Sequence, residues 1–136
     1  ASGGTSGGTS GGVASGDPTI DDNIFARIIR GEIPCSTVYE DDHVLAFKDI
    51  EPKRNIHVLV IPKGPYEDMT AFAAQASEAE IVAYVRAIGL VAEKLGVDVD
   101  GYRLIANTGA NGHQEVPHLH VHIVGGEPVG PMLKAK

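Results

Sequence analysis

The stretch Pro117-His118-Leu119-His120-Val121-His122-Ile123-Val124-Gly125-Gly126 alternates imidazole and aliphatic side chains, the two-residue period of a half-buried strand. A strand here turns all three imidazoles to one face, neighbours ~6.5–7 Å apart, and sends Leu119, Val121 and Ile123 into a core on the other. Three of the chain's six histidines lie in this stretch. A single strand histidine is ordinarily a packed or solvated residue, but three on one face repel one another once protonated, which argues for a chemical use. Two uses fit: a metal centre built on neutral imidazoles, or a nucleophile with acid–base helpers. Spacing alone leaves both open.

Working outward, Thr108-Gly109-Ala110-Asn111-Gly112 just upstream is a tight glycine-bearing loop whose amides can reach an anion. Before it, Tyr102–Asn107 reads as a strand and Asp98–Gly101 as a turn. Ser77-x-x-Glu80 is a capping box, followed by Ile81, Tyr84, Val85, Ile88, Val91, Ala92 and Leu95 at helical spacing up to Gly96, a core-facing helix of about five turns. Ile56–Ile61 is an apolar strand stopped by Pro62. Ser36–Glu40 and Val44–Asp49 form a hairpin across Asp41-Asp42-His43, with His43 solvated at its tip. Ile24, Phe25, Ile28 and Ile29 give a short helix capped by Asp21 or Asp22 and ended by Gly31. The order is helix, three strands, helix, two strands. It predicts an α+β domain with a five-stranded antiparallel sheet, one long and one short helix, and the helices on one face.

The chain of 136 residues has room for one domain with a real core. Residues 1 to about 16 repeat Gly-Gly-Thr-Ser and read as a flexible artificial tail, so the expected division is a tail over 1–20 and a folded domain over 21–136. Net charge −7 and pI near 5.2 argue against nucleic-acid or membrane-surface partners. Cys35, the one cysteine, excludes an intrachain disulfide, fits a reducing cytoplasm and is expected to be a small buried thiol. Neither a signal peptide nor an 18-residue apolar run is present, nor is a P-loop or a G-x-G-x-x-G dinucleotide motif.

The residues resemble the histidine-triad (HIT) family, whose His-φ-His-φ-His-φ-φ signature, φ being apolar, matches His118-Leu119-His120-Val121-His122-Ile123-Val124. Ile24 to Pro34, Ala46-Phe47-Lys48-Asp49-Ile50, His57 to Lys63 and Gly101-Tyr102-Arg103 with Asn107 also fit, so the likeness runs from about residue 23 to 126. The Val124-Gly125-Gly126 ending resembles the histidine-triad nucleotide-binding (HINT) branch. The resemblance implies a homodimeric, cofactor-free purine nucleoside phosphoramidase that splits a P–N bond to give a nucleoside monophosphate and an amine. Some members hold zinc with Cys-x-x-Cys and the counterparts of His57 and His118. Here those sulfur positions are Asn23 and Ala26, so no metal is expected.

By the same resemblance His120 is the nucleophile and becomes a nucleotidyl-histidine that water hydrolyses. Its other N–H should be held by the carbonyl of His118. His122 would hydrogen-bond the phosphoryl or leaving group, and His118 with His57 would form the supporting shell. Asp49 is the candidate for the ribose hydroxyls. Phe25, Ile28, Ile33 and Ile50 would line the base pocket. Asn107, the amides around His113 and Gln114, and the neighbouring Glu115 and Val116 would meet the phosphate. One departure is Glu115, where the HINT branch often has Ser or Thr: a carboxylate beside phosphate repels it unless neutralised or turned away, and suits cationic leaving amines such as lysyl or aminoacyl adenylates. The competing readings are a dinucleoside-polyphosphate hydrolase, a nucleotide-binding regulatory or scaffold dimer and a metal-binding module.

Overall fold

The computed structural model describes residues 20–134. The expected tail over 1–20 therefore lies outside the described residues except for Ile20. The elements are α1 (Ile24–Ile29), β1 (Thr37–Glu40), β2 (Val44–Lys48), β3 (Ile56–Pro62), α2 (Met69–Gln75), α3 (Glu78–Leu95), β4 (Tyr102–Ala106) and β5 (Val121–Gly125). All strand pairs are antiparallel, in the order β1-β2-β3-β5-β4. The α+β class and the five strands agree with the expectation. Among the described residues no helix is long and apolar enough to cross a membrane.

Both faces of the sheet are covered, where helices on one face were expected. On one face α3 lays Tyr84, Ala87 and Val91 against Val44, Ala46, Val58 and Val60, and Leu119, Val121 and Ile123 join the same core. The Tyr84 hydroxyl donates to the Val60 carbonyl at 2.7 Å, which satisfies its one polar atom inside that core. The alternate residues Leu45, Phe47, Leu59 and Ile61 face the other way, where Phe25, Ile28 and Ile29 of α1 cover them. A run such as Val58-Leu59-Val60-Ile61 is apolar throughout because both its faces are buried.

The helix ends show which local signals won. Asn23, not Asp21 or Asp22, caps α1, its Oδ1 accepting from the Ala26 amide at 2.9 Å. Asp22 instead pairs with Arg27 and Arg30 on the surface. Gly31 follows the helix in a left-handed conformation, as an end signal requires. The capping box of Ser77 and Glu80 is present, and Gly96 closes α3. Helix α2, capped by Asp68, was not foreseen: at 7 residues with only Ala71 and Phe72 buried, it has too few turns to show a period.

Strand β5 begins only at Val121. His118 and His120 precede the ladder in a segment held by a hydrogen bond from the Leu119 amide to the Tyr66 carbonyl at 2.8 Å. The alternation survives without the ladder, since Leu119 lies in the α3-side core while His118 and His120 meet Phe25 on the α1 side.

Candidate active site

Four imidazoles gather on the α1 face of the sheet. His120 is buried, and its Nδ1 lies 2.7 Å from the carbonyl of His118, as expected. A carbonyl only accepts, so Nδ1 carries the proton and Nε2 keeps its lone pair. Burial lowers the pKa of His120, opposed by that carbonyl and by the charges of Asp49 and Glu115. The result is a neutral imidazole with one nucleophilic nitrogen.

His118 is 1% exposed and turns away, its Nε2 donating to the Pro62 carbonyl at 2.7 Å. Its Nδ1 is buried without a hydrogen-bond partner among the described residues. Burial pushes its pKa down to about 4, so it stays neutral. His118 thus serves through its main-chain carbonyl and its packing.

His57 and His122 form the second pair. His57 Nε2 is 2.9 Å from His122 Nδ1 and 3.4 Å from Asp49 Oδ2, and His57 Nδ1 accepts from the Lys53 amide at 3.0 Å. Burial lowers the pKa of both, that of His122 to about 4 with further push from His120 and His57.

A cavity of about 500 Å³ opens beside His120 and is lined by Phe25, Ile28, Ile33, Asp49, Ile50, Asn107, His113, Glu115 and Val116 among others. Most of the residues singled out in the sequence therefore converge. Ile50 is 91% exposed, so it has no core duty and belongs to the cavity rim, whereas Phe25 serves both core and cavity. Asp49 already accepts the Glu51 amide at 2.8 Å through Oδ1, which fixes its carboxylate at the cavity edge.

Some expectations change. The amides of His113 and Gln114 are occupied by the carbonyls of Ala110 and Gly109, so they are not free for phosphate. The Gln114 side chain ties the loop together, donating to Glu67 and Val116 carbonyls at 2.7 and 2.9 Å and accepting from the Gly109 amide at 3.0 Å. Glu115 lies 3.2 Å from His113 Nε2, both side chains solvent-exposed. Cys35 is half-buried in the cavity wall, not buried, with Sγ 3.4 Å from Thr37 Oγ1. The Lys53 amide escaped sequence reading because its role belongs to the main chain and leaves no residue signature.

A ligand set for a metal is suggested by Asp49, His57 and His122, whose donor atoms lie within 4.8 Å of one another. The hydrogen bonding opposes it. A ligating histidine donates its second N–H to an acceptor, but His57 presents Nδ1 to a donor, which leaves the proton on the nitrogen a metal would need. At the zinc position of the cysteine-bearing relatives, Asn23 spends its side chain on the cap and on a bond to the Pro117 carbonyl at 3.4 Å, and Ala26 offers no ligand. The residues present do not fit zinc.

Against known proteins, the HIT domain matches residues 30–129. The chain belongs to the HIT family. Among HIT relatives, an uncharacterized HIT-like protein of Azospirillum brasilense is 54% identical over 111 residues, 82% of this chain and 91% of its own. The purine nucleoside phosphoramidase of Escherichia coli is 43% identical over 116 residues, 85% of this chain and 97% of its own. A histidine triad protein structure from Clostridium difficile superposes with a TM-score of 0.72 at 41% identity, covering 81% of this chain and 95% of that one. A HIT family hydrolase structure from Legionella pneumophila gives 0.73 at 34% identity, covering 80% and 96%.

Proposed function

We propose that this HIT protein is a purine nucleoside phosphoramidase. The observation that carries the reading is His120: a neutral imidazole with Nδ1–H fixed on a carbonyl, set in the wall of a cavity large enough for a nucleotide. Its Nε2 attacks the α-phosphorus and the P–N bond breaks with its electron pair on nitrogen. Water then hydrolyses the nucleotidyl-histidine to the nucleoside monophosphate, with no cofactor or metal.

The base lies between Phe25, Ile28, Ile33 and Ile50, an apolar slot without purine discrimination. Asp49 takes the ribose hydroxyls. The phosphate meets Asn107 and the amides of Glu115 and Val116, which unlike those of His113 and Gln114 form no hydrogen bond among the described residues. Glu115 favours cationic leaving amines such as those of lysyl or aminoacyl adenylates. The protein works as a homodimer in the cytoplasm. What supports the dimer is an edge strand, β4, with no second strand partner among the described residues and with exposed Tyr102 and Leu104, together with α3, which exposes Val82, Val85 and Leu90.

The test is steady-state kinetics with adenosine and guanosine phosphoramidates, run beside a diadenosine polyphosphate, together with intact mass during turnover. Turnover with one nucleotidyl group added to the wild type and none to His120→Ala is expected. Phosphoramidate rates equal to those of His120→Ala would remove the reading, and faster polyphosphate turnover would move it to the hydrolase branch.

A further inference from the structure

We infer that the backbone amide of Lys53 sets the tautomers of His57 and His122 in series, so that His122 meets the substrate as a neutral Nε2–H donor and is not the source of the leaving amine's proton. The inference rests on the proposed reaction for its chemical meaning, although the tautomers themselves stand without it.

The series starts at a group that can only donate. The Lys53 N–H points at His57 Nδ1 at 3.0 Å, so Nδ1 must hold a lone pair and the proton of His57 sits on Nε2. That N–H has two acceptors within reach. His122 Nδ1 is hydrogen-bonded at 2.9 Å, whereas Asp49 Oδ2 at 3.4 Å makes only a longer ion-pair contact. His122 Nδ1 is therefore the acceptor, and the proton of His122 sits on Nε2.

The same series resists protonation. An imidazolium at His122 would turn a second N–H against the Nε2–H of His57. His57 cannot yield by moving its own proton to Nδ1, because the Lys53 amide is there. The charged and titratable groups facing His122 are His120, His57, Asp49 and Lys53, and of these only Asp49 favours a cation.

A neutral imidazole gives up Nε2–H only by becoming an imidazolate, so His122 stabilises phosphoryl charge by a hydrogen bond and passes no proton on. When the P–N bond breaks, the electron pair goes to nitrogen and the proton that nitrogen takes comes from solvent at the open side of the cavity. His57 is then a positioning residue acting through His122.

Long-range proton–nitrogen correlation spectra of ¹⁵N-histidine-labelled protein without substrate read the tautomers, with His122→Asn identifying the signal. His122 should carry its proton on Nε2 in the wild type. In His57→Leu, Nδ1 loses its donor, so both tautomers should appear and His122 should accept a second proton at higher pH. His57→Gln, whose amide can donate in place of Nε2–H, should restore the single tautomer. An Nδ1-protonated His122 in the wild type, or an unchanged tautomer in His57→Leu, overturns the inference.

Kinetics give the second arm. His122→Ala should slow an amine phosphoramidate and a nucleoside nitrophenyl phosphate by the same factor, on the order of 10²-fold, as loss of one donor to phosphoryl charge does. A much larger loss on the amine substrate alone would make His122 a general acid and sink the proposal. Absence of turnover on any phosphoramidate would remove the proposed function and leave the spectra to decide the tautomers.

Discussion

The ring of Phe25 meets the ring of His120 edge-on, centroids 4.9 Å apart, and also meets the ring of Phe47 at 5.7 Å. A residue of the short first helix is thus both core and wall for the nucleophile. Phe25→Ala should lower unfolding free energy by about 3–5 kcal/mol through the cavity it leaves, and should slow formation of the nucleotidyl-histidine in single-turnover quench experiments. Phe25→Leu should lose less on both. A Phe25→Ala protein with under about 1 kcal/mol of destabilisation in urea would show that the contact is loose.

Asn23 links α1 to the triad segment through its cap and its bond to the Pro117 carbonyl. Asn23→Ala should cost about 1–2 kcal/mol, visible in thermal unfolding. Asn23→Asp keeps the acceptor that caps and loses the donor to Pro117, so it should fall between the two. Equal melting temperatures for all three proteins would refute the link.

Acidification should weaken the fold through His118. Its pKa is held at about 4 in the folded protein against 6.5 for the free side chain. Between those values the unfolded chain binds a proton that the folded chain does not, so stability rises with pH across this window and is lost as pH falls from about 6.5 toward about 4. The loss is on the order of 3 kcal/mol for this group. His122 adds to it in the same direction, less strongly because it is half-exposed. Denaturant midpoints measured across the window should slope upward with pH in the wild type and less steeply in His118→Asn. Identical slopes in the two proteins would assign the acid sensitivity elsewhere.

Glu115→Ser should shift preference away from cationic leaving amines, by about fivefold in relative kcat/KM for lysyl against neutral amides, the size of one exposed charge contact near 1 kcal/mol. Rising salt should narrow the wild-type preference in the same way. An unchanged ranking of leaving groups would dismiss Glu115 as a selectivity residue.

Val85→Glu on α3 and Leu104→Glu on β4 should each shift the protein toward monomer in sedimentation velocity, since both put a charge on the apolar faces assigned to the dimer. A wild type that sediments as a monomer at micromolar concentration would refute the dimer itself.

The alternation at 118–123, the Ser77–Glu80 box and the apolar run at 56–61 were legible because each repeats one physical signal several times. The Asn23 cap was missed because three polar residues in a row can all cap, and the choice depends on which also reaches Pro117. Cys35 illustrates the same limit: its type suggests burial, yet the cavity leaves it half-open. The amides of His113 and Gln114 read as open because a glycine-bearing loop advertises N–H groups whether or not carbonyls such as those of Ala110 and Gly109 take them.

Two of the bonds that orient the imidazoles, from Lys53 to His57 and from His120 to His118, end on the main chain. Side-chain exchange at 53 or 118 leaves the amide or the carbonyl in place, so those positions can change chemical character while the proton map of the site persists. Proline at 53 is the single replacement that deletes the donor. Redesign of the cavity can therefore vary its walls widely, provided the chain path through Lys53 and His118 is kept.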